Sequence, residues 1–160
     1  MKSESNEITS YKDKKTLQGF SQMIPEKGSY EEEVMNLCGQ FQTENPIFIG
    51  IAFATEHNGG YVHYPAIDRK DGYDARDRAW YKLGKENPNK VMSLDAYQTS
   101  NGQTVMTLVQ GITDVTGKFK GVATFDIDLN LLNAQFQKSD EEFKVIITDK
   151  KGMIIVNTLN

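Results

Sequence analysis

Ile47-Phe48-Ile49-Gly50-Ile51-Ala52-Phe53-Ala54, then Thr55 to His57, Asn58-Gly59-Gly60, and Tyr61-Val62-His63-Tyr64 spell two strands and the turn between them. Ile47, Ile49, Ile51 and Phe53 alternate with the smaller Gly50, Ala52 and Ala54, the two-residue period of a strand with unlike faces. The small face leaves room for something to pack or bind against it. Asn-Gly-Gly is strong hairpin punctuation.

Upstream, Ser29 and Glu32 form a capping-box pattern, and Val34, Leu37/Cys38 and Phe41 give one apolar stripe. Asn45-Pro46 stops that helix, so its span is 30–44. Downstream, the pattern predicts strands at 90–98, 103–114 and 119–128, with turns at Ser100-Asn101-Gly102 and 114–118. A helix over 129–137 and a hairpin of 143–148 with 153–157 follow. With strands at 47–55 and 60–65, this is an α+β chain: a five-stranded antiparallel sheet flanked by helices. Residues 1–28 read as an approach segment or frayed helix, 29–137 as the main module, and 138–160 as a hairpin opening a second module of similar pattern.

Between the second and third strands lies Tyr73-Asp74-Ala75-Arg76-Asp77-Arg78-Ala79-Trp80-Tyr81. Guanidinium offers a planar fork of donors to a carboxylate, and an indole N–H or a phenol can complete the same anion's shell. The alternative is ordinary core aromatics with a solvated charged turn.

On the last long strand Asp126 and Asp128 share a face. They could hold a metal together for a hydrolase that also uses His63, be unrelated strand-end acids, or have separate jobs. Asp128 immediately precedes an apolar-periodic helix, where a capping carboxylate belongs. Asp126 is then a lone acid that needs a cation, either a ligand's ammonium or Arg78.

Taken together, the tyrosine, Arg-x-Trp-Tyr, the later Tyr97 and Gly-Val-x-x-x-Asp-Ile resemble double Cache (dCache) sensor domains over Ile47 to Leu132. These are PAS-like extracytoplasmic domains of bacterial chemoreceptors, sensor histidine kinases and cyclic-dinucleotide enzymes. The amino-acid-binding subset is the one resembled. The resemblance implies that Arg78 and Trp80 hold a ligand's α-carboxylate, Tyr73, Tyr81 and Tyr97 supply hydroxyls, and Asp126 holds the α-ammonium. Ala75 and Ala79 stand where prolines are common in the family. Gln98-Thr99-Ser100 stands where many members place a second acid. The expected product is a non-enzymatic sensor for chemotaxis or two-component signalling. An amine or quaternary-amine sensor caged by Tyr73, Trp80, Tyr81 and Tyr97, or a plain carboxylate sensor, is the alternative.

Composition narrows the field further. The 160 residues suffice for one core, and a net charge of −4 gives no basic footprint for nucleic acid. A single cysteine, Cys38 at helical spacing in an apolar stripe, provides neither a disulfide nor a thiolate metal site. His57 and His63 have no spaced carboxylate, and Asp68, Asp71, Asp74 and Asp77 lack the ligand order of a calcium loop. No cofactor is expected. With no signal peptide and no run long enough to span a bilayer, the chain reads as cytosolic or as a soluble piece of a membrane protein. The resemblance favours the latter, as an extracytoplasmic domain; a homodimer is one open option, the oligomeric state not being fixed by the sequence.

Overall fold

The computed structural model describes residues 6–99, 102–138, 144–149 and 151–159. In chain order its elements are β1 (Phe20–Ser21), α1 (Tyr30–Glu44), β2 (Phe48–Thr55), β3 (Tyr61–Tyr64), β4 (Arg69–Lys70), a 3-10 turn (Ala75–Asp77) and α2 (Ala79–Glu86). Next come β5 (Val91–Ser93), β6 (Tyr97–Gln98), β7 (Thr104–Thr113), β8 (Phe119–Asp128), α3 (Leu129–Lys138), β9 (Ile146–Thr148) and β10 (Ile154–Asn157).

The main sheet runs β3-β2-β8-β7-β5 with every pairing antiparallel, and β6 also pairs with β7. The expected strand over 90–98 is therefore two pieces along one partner. Leu94, Asp95 and Ala96 leave the strand between them, although the Leu94 amide still reaches the Thr107 carbonyl at 2.9 Å. Of the turn expected at 100–102, Ser100 and Asn101 lie outside the described residues, as does Phe143 at the head of the last hairpin.

Helix α1 begins as its sequence dictates. The Glu32 amide donates to Ser29 Oγ at 3.1 Å, while the Glu32 carboxylate reaches back to the Gly28 amide at 2.6 Å. The helix buries Met35 and Cys38 rather than the predicted Leu37, which is 58% exposed. Phe41, Phe48 and Phe125 cluster on this side, with ring centroids 5.4–5.8 Å apart.

The other face of the sheet carries the larger core. Tyr61, Tyr73, Tyr81, Val109 and Val122 close over Ala52 and Ala54. Helix α2 sits low on that face because Gly84 has no Cβ. One added there would stand 2.8 Å from Val122 Cγ1, and one on Gly111 would stand 2.4 Å from the Gly84 carbonyl.

Described residues 6–28 contain no helix. They run extended across the sheet's cover: β1 pairs with β4, and bridges join Ser10 to Gly60 and Tyr11 to Tyr73. Ile8, Tyr11 and Met23 are buried there. Their apolar residues are too widely spaced for one helical face but suit a strap with anchors. Strands β9 and β10 form a separate two-stranded sheet next to α3.

Candidate ligand-binding site

Residues paired across neighbouring strands share a face, so the register defines the floor of the site. Gly50 pairs with Asp126, and Asp126 with Thr107; one step on, Ala52 pairs with His63 and Thr124, and Thr124 with Val109. An irregularity between Phe48 and Gly50 bends β2 beside this row. The roof is the 66–86 connection, as its inward-turning aromatics predict.

Tyr73 is 9% exposed and is covered by cations. The Arg78 guanidinium carbon lies 4.8 Å from its ring centroid, and that of Arg69 lies 4.9 Å away. Arg69 also donates from Nη2 to the Tyr61 hydroxyl at 2.7 Å, and the Tyr61 ring stacks 5.1 Å from Tyr73 and 6.1 Å from Trp80. Arg78 itself is exposed, and no carboxylate among the described residues pairs with it. Trp80 is half-buried beside Tyr61.

Asp126 is half-buried and accepts one hydrogen bond, from Thr107 Oγ1 at 2.6 Å. Its Oδ2 overhangs Gly50, where an added Cβ would stand 2.8 Å from that oxygen. Arg78 and Asp126 are not an ion pair with each other, so Arg78 does not neutralise the acid. Tyr97, 47% exposed on β6, faces the same end; burial and then the Asp126 charge push its phenol up, against its hydrogen bond with Thr107.

Tyr81 has a different role from the one expected. It is 1% exposed in the core, and its hydroxyl donates to Glu56 Oε2 at 2.8 Å. Burial and that carboxylate push its phenol far above the ordinary tyrosine range. Glu56 also accepts from Lys85 Nζ at 2.5 Å, and its carbonyl accepts from Arg76 Nη1 at 3.1 Å. Arg76 is forked onto Asp74, with Nη2 to Oδ2 at 2.6 Å and Nε to Oδ1 at 2.9 Å. The nine-residue motif thus divides. Tyr73 and Trp80 pack on Tyr61 with Arg78 over the Tyr73 ring, while Asp74, Arg76 and Tyr81 fasten the roof to the β2–β3 hairpin.

Asp128 is the predicted cap: Oδ1 accepts from the amides of Asn130 at 2.8 Å and Leu131 at 3.2 Å, and Oδ2 from Gln103 Nε2 at 3.0 Å. With both oxygens engaged, it is not the partner of Asp126 that a two-carboxylate hydrolase needs. Asp71 and Asp74 are likewise used locally, Asp71 accepting from Thr16 and from Ser21 Oγ at 3.0 Å.

Sequence reasoning missed Arg69 and Tyr61 and placed His63 only in the hydrolase alternative. The available signal was the hairpin register, which sets Tyr61 opposite Ala54 and His63 opposite Ala52, on the small-residue face. The His63 Nδ1 lies 2.8 Å from the Pro65 carbonyl, which can only accept, so Nδ1 carries the proton and Nε2 is left as an acceptor. Burial, with Arg69 adding to it, holds the imidazole below the ordinary histidine range, against the Pro65 bond and the Asp126 charge.

A guanidinium without a carboxylate partner, aromatic rings and a half-buried carboxylate without a cation partner are groups able to take the two charges of a small molecule. A family profile described as a Cache domain matches residues 1–160. The chain belongs to the Cache domain family. Curated relatives include the Bacillus subtilis methyl-accepting chemotaxis proteins McpB, 29% identical over 135 residues, and McpC, 26% over 120. Those alignments cover 82% and 73% of this chain but only 18% of each relative, so the chain spans under a fifth of their length. Among solved structures, the ligand-binding domain of the Pseudomonas aeruginosa amino acid chemoreceptor PctC with GABA gives a TM-score of 0.59 at 18% identity, covering 83% of this chain and 57% of that one. The sensory domain of Campylobacter jejuni Tlp3 with isoleucine gives 0.60 at 21%, covering 86% and 54%. These likenesses establish the Cache fold. No helix among the described residues is long and apolar enough to cross a membrane.

Proposed function

We propose that this Cache domain is the extracytoplasmic ligand-binding module of a methyl-accepting chemotaxis receptor, and that it binds an L-amino acid. Arg78 and Trp80 take the α-carboxylate, Tyr73 and Tyr97 flank the ligand, and Asp126 takes the α-ammonium. One observation supports the reading: two charges are left open, since Asp126 has no cation partner and Arg78, over Tyr73, has no carboxylate partner among the described residues. A zwitterion fits that arrangement, since its opposite charges sit two bonds apart. The curated relatives are chemotaxis proteins, which favours that output over a histidine kinase. Attachment to a membrane and pairing into a homodimer belong to the same proposal, as does reading 138–160 as the opening of a further module. That hairpin's separate sheet supports the last point. A quaternary-amine cage fits less well, because the rings of Tyr73 and Tyr61 already carry guanidinium groups.

The energetics are adequate. Micromolar affinity is about −8 kcal/mol, and charged hydrogen bonds contribute about 1.5–3 kcal/mol each, so three or four with modest burial suffice. In a thermal-shift screen of amino acids, amines and organic acids, an amino acid at about 100 times its Kd should stabilise the domain by about 2.7 kcal/mol. Arg78→Ala should abolish carboxylate binding with little change in melting temperature. Asp126→Asn should cost far more for the amino acid than for its deaminated analogue in calorimetry. Equal losses would mean that Asp126 does not read an ammonium, and that the domain senses a plain carboxylate.

A further inference from the structure

We propose that His63 Nε2 is the second acceptor for the ligand's ammonium, beside Asp126, across the gap above Gly50. The inference rests on the amino-acid reading and goes beyond it. An ammonium brings three N–H donors. Asp126 cannot meet them alone, because Thr107 already donates to Oδ1, and Asp128 on the same face is committed to capping α3. The missing acceptor is on β3, across β2 from Asp126. A Cβ on Gly50 would stand 2.8 Å from Asp126 Oδ2 and 3.3 Å from His63 Nε2. Both acceptors therefore border the space that the glycine leaves open. They are no farther apart than two hydrogen bonds can bridge, about 6 Å, and no ion pair joins them. The Pro65 carbonyl fixes the tautomer that presents the Nε2 lone pair to this space.

A proton on Nε2 converts the acceptor into a donor and a positive charge. The imidazolium then turns to Asp126 across the same gap, so proton and ammonium compete for one place. The charged and titratable groups facing the ring are Asp126 from β8, Arg69 from β4 and Tyr61 on its own strand. Arg69 opposes protonation and Asp126 favours it. An amine-bearing ligand should bind well at neutral pH and progressively worse in acid, whereas a deaminated carboxylate lacks the group that competes.

The test begins with the twenty L-amino acids at pH 7.5 and carries the tightest binder, with its deaminated analogue, into calorimetry at pH 7.5 and 5.0. The wild-type Kd for the amino acid should rise at the lower pH, and that for the analogue should not. His63→Gln, which accepts without titrating, should flatten the profile, and His63→Leu should weaken the amino acid about tenfold at pH 7.5, a loss typical of one hydrogen bond to a charge. Melting temperatures confirm that both variants fold. A flat wild-type profile overturns the proposal, and so does an acid loss that persists in His63→Gln. If no amino acid binds while a carboxylate does, the amino-acid reading itself falls, and the role of His63 with it.

Discussion

Two arginines in one short motif have opposite uses. Arg76 is forked on Asp74 and reaches the hairpin, whereas Arg78 lies over an aromatic ring with its donors available. Nothing in the types or spacing of residues 73–81 separates them; the deciding residue is Glu56, far away in sequence and brought there by the β2–β3 turn. That also explains why Tyr81 reads as a site residue in the sequence but serves the scaffold. Tyr81→Phe should lower stability by about 1 kcal/mol, measured by denaturant unfolding, and leave ligand affinity unchanged. The Glu56 carboxyl is disfavoured by burial, but hydrogen bonds from Lys85 and Tyr81 and the charges of Lys85 and Arg76 hold it below its ordinary value. Its contribution is therefore complete above the unfolded carboxyl's pKa of about 4.3 and disappears as pH falls through the lower folded value. The acid loss of melting temperature should be smaller in Tyr81→Phe than in the wild type.

At the scale of elements, the alternating and capped segments were legible, since local chemistry decides them: α1 starts at Tyr30 behind Ser29, α3 starts behind Asp128, and β2 and β3 flank Asn58-Gly59. Gly59 is held at φ +70 with the Arg76 guanidinium 3.0 Å from where a Cβ would stand. The break of one strand into β5 and β6 was not legible, because both pieces keep a strand-like composition and only pairing with β7 reveals the gap. Nor was the depth at which α2 docks, which depends on two glycines meeting across elements. Gly84→Ala should improve helix propensity yet destabilise the fold by about 1–3 kcal/mol through overpacking against Val122. Gly111→Ala should cost more, since the obstacle is the Gly84 backbone rather than a side chain. Thermal melts of the two variants check both the sign and the order.

Over the whole molecule, the feature least visible in the sequence is the path of the first described residues. Their polar composition suggests a loose approach, but Ile8, Tyr11 and Met23 are buried and β1 is paired with β4. Burial of a few scattered side chains in an extended segment produces no period, so no pattern announced it. Hydrogen exchange by mass spectrometry should show that a saturating ligand slows exchange in 8–23 together with 66–81, and slows the β9–β10 hairpin less. The bridge from Tyr11 to Tyr73 joins this strap directly to the residue beneath both guanidinium groups. Strap, hairpin and roof are thus knotted at adjacent residues, Ser10 to Gly60 at the head of β3 and Tyr11 to Tyr73, so that a displacement of any one is shared by the other two.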